Sequence, residues 1–158
     1  MGARNSWQQS AEAATRTTNI MPAKDLLHDA AKNALIKDGW TITNDPYTLE
    51  WDVDNIFIDL GAERVLAAQK DTEKIAVEVK SFVNKSETRD LQQAVGQVLM
   101  YRTALEEQDP ERVLYLAMPD EIAHRLFEQP RGSKLFANAQ LKVIGFDPEK
   151  EEIVSWMK

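Results

Sequence analysis

The chain has 158 residues, 43% hydrophobic and 28% charged, with no cysteine and two histidines. That is the composition of one ordinary globular domain, and it excludes disulfides, zinc ribbons, iron–sulfur ligation and cysteine nucleophiles. The 19 basic against 26 acidic residues leave a formal net charge of −7, a field that repels phosphate and argues against a protein that coats nucleic acid. A carboxylate metal site is itself acidic, so the balance does not exclude a nucleic-acid enzyme. The longest strong apolar run, Val113 to Met118, falls far short of the roughly 18 residues of a membrane span; a soluble, cytoplasmic protein is expected.

Residues 1–20 lack apolar periodicity and read as a disordered N-terminal tail ahead of a single domain, 21–158. The spacing of Leu27, Ala31, Ala34 and Leu35 predicts a first helix, with Pro22 suited to its first turn and Gly39 to its stop. Strands are predicted at 40–43, 47–51, 55–60, 63–69 and 74–82, the last two joined through the polar Lys70-Asp71-Thr72-Glu73 as an antiparallel ribbon. Ser86 is placed to cap a long helix from Glu87 to about Glu106. Gly96 within it implies close packing against a neighbour, since it otherwise costs about 1 kcal/mol. Val113–Met118 reads as a strand covered on both faces, parallel to an earlier one. A helix from Asp120 to about Glu128, a loop at Pro130-Arg131-Gly132, a short helix at 133–138 and strands at 141–146 and 152–156 complete the chain. The order of elements describes a three-layer α/β/α domain with a mixed central sheet.

In Ile75-Ala-Val-Glu-Val-Lys80 the odd positions are apolar and β-branched, so Glu78 and Lys80 share the opposite face of the strand. An isolated Glu-x-Lys is ordinarily a solvated pair worth at most about 1 kcal/mol. Asp59, closing the apolar run Ile56-Phe57-Ile58 just before Leu60-Gly61, adds a second carboxylate on the same ribbon. Two carboxylates and a lysine suit Mg²⁺-dependent phosphodiester hydrolysis: hard oxygen ligands for the ion, and a cation to position water or offset developing charge. Register decides the details. With the turn centred at Asp71-Thr72, Glu78 faces Val65 and Lys80 faces Glu63, so Asp59 needs a bulge at Gly61-Ala62 to rejoin the pair and Glu63 stands as a reserve ligand. Gln97 and Tyr101 share a face of the long helix one turn apart and both hydrogen-bond. Lys85, Arg89 and Arg102 suit a phosphate path or a solvated helix face equally; His124, Trp51 and Trp156 read as structural.

Asp59, then Glu78-x-Lys80, then Gln97-x-x-x-Tyr101 resembles the PD-(D/E)XK nuclease superfamily, the last element being similar to that of its RecB-type members. Over Met21–Asp25, His28–Trp40, Ile58–Glu63, Ile75–Phe82 and Pro110–Ala117 the chain resembles the XisH family, fdxN element excision controlling factors of cyanobacteria. The resemblance implies a restriction-endonuclease-like fold and a role in programmed excision of a DNA element during heterocyst development. It also implies DNA, a small XisI-type protein and a site-specific recombinase as partners; a homodimer is left open. Carried over residue by residue, Asp59 and Glu78 are metal ligands for Mg²⁺ or Mn²⁺, Lys80 is the catalytic lysine and Gln97 supports them, with Tyr101 beside it. Ile58 stands where the superfamily pattern has proline. His28 on the first helix is a further candidate ligand, as some RecB-like nucleases carry one there. Two rival readings accompany the nuclease: a non-catalytic regulatory subunit that keeps the fold, and the nuclease half of a toxin–antitoxin or defence pair.

Overall fold

The computed structural model of the protein describes residues 23–66, 71–82 and 86–158. The expectations for the tail, for Pro22, for the Lys70 turn and for Lys85 lie outside them. Helix α1 (Ala23–Lys37) buries Leu27, Ala30, Ala31, Ala34 and Leu35 on one stripe. Its end is set by Gly39, whose φ of 95° is a left-handed conformation that costs glycine nothing. Trp40 N–H then closes back on the Leu35 carbonyl at 3.1 Å.

Among the described residues eight strands follow in two sheets: β1 (Thr41–Asn44), β2 (Tyr47–Trp51), β3 (Asp54–Ile58), β4 (Leu60–Leu66), β5 (Asp71–Val79), β6 (Val113–Pro119), β7 (Val143–Asp147) and β8 (Glu152–Met157). Six form a mixed sheet in the order β1-β4-β5-β6-β7-β8, and β2-β3 pair separately as a hairpin. The β5-β6 and β6-β7 pairs are parallel and the others antiparallel. The long helix α2 (Glu87–Gln108) is capped by Ser86, whose side chain accepts from Arg89 N–H. Helices α3 (Asp120–Glu128) and α4 (Pro130–Asn138) follow β6. Helix α1 packs over β1, β5, β7 and β8, while α2 packs on β6 and the hairpin. Arg102 of α2 donates to the carbonyls at the end of α4, and Arg125 of α3 pairs with Glu87 of α2. The result is the expected three-layer α/β/α domain around a mixed sheet.

Three local expectations change. The predicted strand 55–60 is broken at Asp59: β3 belongs to the hairpin and β4 to the large sheet. Pro130-Arg131-Gly132 is not a loop but the first turn of α4, where proline needs no N–H donor and Gly132 lies against the Leu126 carbonyl. Gly96 is exposed with open space around its Cα, so no close contact repays its cost to the helix.

The hairpin seats Tyr47, Leu49, Trp51, Ile56 and Ile58 against Tyr101, Ala104 and Leu105 of α2. It leaves Phe57 and the tip residue Val53 exposed, at 53% and 96%. At its outer edge the Gln108 side chain accepts from Glu50 N–H at 2.9 Å and donates to the Glu50 carbonyl at 2.8 Å.

Candidate active site

The register of β4 on β5 builds the site. Leu60 pairs with Val77, Ala62 with Ile75 and Glu63 with Lys74. Leu60, Ala62, Ile75 and Val77 are each at most 1% exposed, and a slip by one residue would turn all four to the wrong face. This differs from the expected register, in which Glu78 faced Val65 and Lys80 faced Glu63. The two strands run to Leu66 and from Asp71, so the connection falls earlier than Asp71-Thr72. As a consequence Asp59 comes beside Glu78 with no bulge in β4. Gly61 serves instead as a close approach: a Cβ there would meet Asn44 Oδ1 and the Tyr47 ring at 2.9 Å.

Asp59, at the joint between the two sheets, accepts through Oδ2 from Val79 N–H at 2.8 Å. Its own N–H donates to Glu78 Oε1 at 3.2 Å. Lys80 Nζ lies 3.0 Å from Glu78 Oε2, and Lys80 N–H is fixed to the Ala117 carbonyl of β6 at 2.8 Å. Glu78 is 5% exposed. Burial and the neighbouring Asp59 charge push its carboxyl up to about 7, and Lys80 offsets only part of this. Tyr101, 7% exposed on α2, has its hydroxyl pushed up by burial and, to a lesser extent, by the charges of Glu78 and Asp59. One turn earlier Gln97 Oε1 is buried with no hydrogen-bond partner among the described residues. It is an unmet acceptor on the face of α2 that Tyr101 shares.

Two candidates fall elsewhere. Glu63 is four positions along from Asp59 and its Oε1 receives Arg112 Nη2 at 3.3 Å. The ring of His28 is engaged with Asp45 Oδ1 at 2.9 Å, the other oxygen of which binds Lys32. Trp156 packs against Trp40 and Tyr115, Trp51 lies in the hairpin core and His124 pairs with Asp120, in keeping with structural roles. Two of the Arg102 donors go to the Ala139 and Gln140 carbonyls at the end of α4. Not anticipated is a cleft of about 160 Å³ bordering Lys80, lined also by Lys24, Ser81, Asp90 and Gln93; it joins residues of α1, β5 and α2 that no local pattern connects.

Among the described residues no cluster of three or more histidine or acidic side chains forms. The oxygen donors that the geometry brings together are thus two carboxylates. That set fits Mg²⁺, which keeps several waters and is often held by one or two carboxylates together with substrate phosphates.

The profile described as XisH protein matches residues 21–154. The chain belongs to the XisH family. Two solved structures of the family superpose on it with a TM-score of 0.76 each. One, an XisH family protein from Nostoc punctiforme, is 41% identical and is covered over 100% of its length by 85% of this chain. The other, an fdxN element excision controlling factor protein from Anabaena variabilis, is 38% identical, with 99% of it and 85% of this chain covered. No curated protein matches the chain. No helix among the described residues is long and apolar enough to cross a membrane.

Proposed function

We propose that this XisH family member is a metal-dependent, endonuclease-like factor that acts on DNA during excision of a DNA element, together with a XisI-type partner. One observation carries the reading: Glu78 is buried beside a second carboxylate with Lys80 3.0 Å away. Like charges held together out of water cost stability, and such arrangements concentrate at functional sites. Asp59 and Glu78 would hold Mg²⁺ or Mn²⁺, the ion supplying Lewis-acid polarisation of the phosphate and a more acidic water when bound.

The protein's own groups divide the remaining work. Val79 N–H fixes the Asp59 carboxylate, and the strand β5 fixes Glu78 against it. Lys80 Nζ, 3.0 Å from Glu78, orients the attacking water and offsets charge developing on the phosphate. Gln97 Oε1, an unmet acceptor, is suited to take a hydrogen bond from that water. With a net charge of −7, the chain gathers DNA poorly alone, so a partner or recombinase would supply the basic surface.

A second reading, a regulatory subunit that retains the fold without cleavage, is favoured by one feature: Asp59 Oδ2 and both Glu78 oxygens already have protein donors. Plasmid cleavage with Mg²⁺ and with Mn²⁺, with and without the XisI-type partner, separates the two. Cleavage by the wild type that is lost in identically purified Lys80→Ala and Glu78→Ala establishes the nuclease. No cleavage under any condition, with both variants folded, establishes the subunit.

A further inference from the structure

Away from the acidic pair, a groove of about 760 Å³ opens between the C-terminal half of α2, helix α4 and the start of β6. It lies at the other end of the parallel pair: Val113, which lines it, pairs with Ile75, whereas Glu78 pairs with Leu116 three residues further on. Its volume falls within the roughly 300–1,000 Å³ of small-molecule sites. The lining is mainly apolar, including Leu105, Leu114, Phe127, Phe136 and Leu141. Phe127 and Phe136 stack with ring centroids 4.4 Å apart and an interplanar angle of 5°, which gives one wall a fixed shape.

The polar groups of the lining are of one dominant sign. Arg102, Lys142 and Lys158 border the groove, against Glu106; Arg112, also at the border, is committed to Asp109 and Glu63. Lys142 and Lys158 make no ion pair among the described residues. Arg102 is held in place by two hydrogen bonds of 3.0 Å, to the Ala139 and Gln140 carbonyls, leaving the rest of its five N–H donors uncommitted. A guanidinium held by two backbone carbonyls and two ammonium groups without an ion pair among the described residues thus border an apolar floor.

We propose that this groove is a binding site for a small amphipathic anion, an apolar body seated on Leu114 and Phe136 with its acidic head group against Arg102 and Lys142. The proposal is independent of the nuclease reading, because no residue of the acidic pair lines the groove.

The test uses the full chain and anilinonaphthalene sulfonate, an apolar aromatic body with one fixed negative charge, followed by fluorescence and by amide shift mapping. Saturable one-site binding is expected, with shifts confined to Leu105, Leu114, Phe136, Leu141 and their neighbours. The uncharged parent anilinonaphthalene is expected to bind at least about tenfold more weakly, a difference of about 1.4 kcal/mol. Lys142→Glu should weaken the sulfonate by a similar factor and leave the parent unchanged. Ala137→Trp, at an exposed position on the groove wall, should block both probes without touching the core. Decanoate or decyl phosphate should displace the sulfonate and decanol should not. Non-saturable binding, shifts away from the groove, equal binding of the parent, displacement by decanol, or full affinity in Lys142→Glu with an unchanged melt would each overturn the proposal.

Discussion

Glu78 and Arg112 are both buried, at 5% and 8% exposure, and both touch β5, yet the fold surrounds them in opposite ways. Arg112 precedes β6 and uses every nitrogen of its guanidinium. Nε donates to Asp109 Oδ2 at 2.8 Å, Nη1 to the Ile75 carbonyl at 2.9 Å and Nη2 to Glu63 at 3.3 Å. Its plane lies 4.5 Å from the centroid of the Tyr47 ring, and the Tyr47 hydroxyl donates to the same Asp109 oxygen at 2.9 Å. Burial pushes the Asp109 carboxyl up, but the hydrogen bonds from Arg112 and Tyr47 outweigh it and hold the group below its ordinary value. Glu78 has one cation and, on its other side, a like charge, so its carboxyl is pushed up instead. A charge buried for stability is matched on all sides; a charge buried with a like neighbour is kept at a cost, an arrangement that concentrates at functional sites.

The comparison can be broken most severely at Arg112. Arg112→Met strands Asp109 and two strand carbonyls, and should cost about 3–5 kcal/mol, as for removing one partner of a buried pair. In a chain of this size that lowers the melting temperature by very roughly 10 °C. A variant that melts within about 2 °C of wild type would mean the network adds little and the contrast is false.

Glu78→Gln should do the reverse. In the metal-free wild type, the folded-state value of about 7 exceeds the ordinary 4.5, so the folded state holds the proton more tightly. The stabilisation is present below about pH 4.5 and is lost as pH rises through about 7, to a limit of roughly 3 kcal/mol. Denaturant melts from pH 5 to 8 should show the wild type losing stability relative to Glu78→Gln. Added Mn²⁺ should restore it in the wild type alone, with the gain set by ligand concentration over affinity. Parallel pH profiles for the two proteins would show that Glu78 does not carry the strain.

Smaller changes sharpen the picture. Tyr47→Phe removes one hydrogen bond to Asp109 and should cost about 1–2 kcal/mol, measured by the same melts and without effect on Mn²⁺ binding. Gln108→Ala frees the Glu50 backbone groups at an exposed edge and should cost about 0.5–1 kcal/mol.

The same contrast explains what could be read from the sequence. Period-two alternation places Glu78 and Lys80 on one face, Ser86 announces α2, and the unbroken run after Asp109-Pro110 marks β6; all three are local signals. Register is not local. It is set by which pairs are buried together, Leu60 with Val77 and Ala62 with Ile75, and a polar stretch such as Lys70–Glu73 leaves the position of the turn free by several residues. A turn placed three residues too late makes Glu63 a reserve ligand and requires a bulge to bring Asp59 back. The Arg112 network was illegible for the same reason, since its partners come from β2, β4, β5 and the end of α2. The partner of His28 was equally out of reach of local reading, since Asp45 comes from the β1-β2 turn.

Gln108 has a consequence for how the molecule behaves in a crowd. A two-stranded hairpin with Val53 and Phe57 facing water offers a neighbour both an apolar surface and an open row of backbone donors and acceptors, the combination from which strand-to-strand aggregation starts. The side-chain amide at the end of α2 fills the Glu50 donor and acceptor together, imitating the next strand without being one. A chain lacking it would meet its copies with that rung unguarded, and the loss would show in light scattering at high concentration as well as in the small loss of stability.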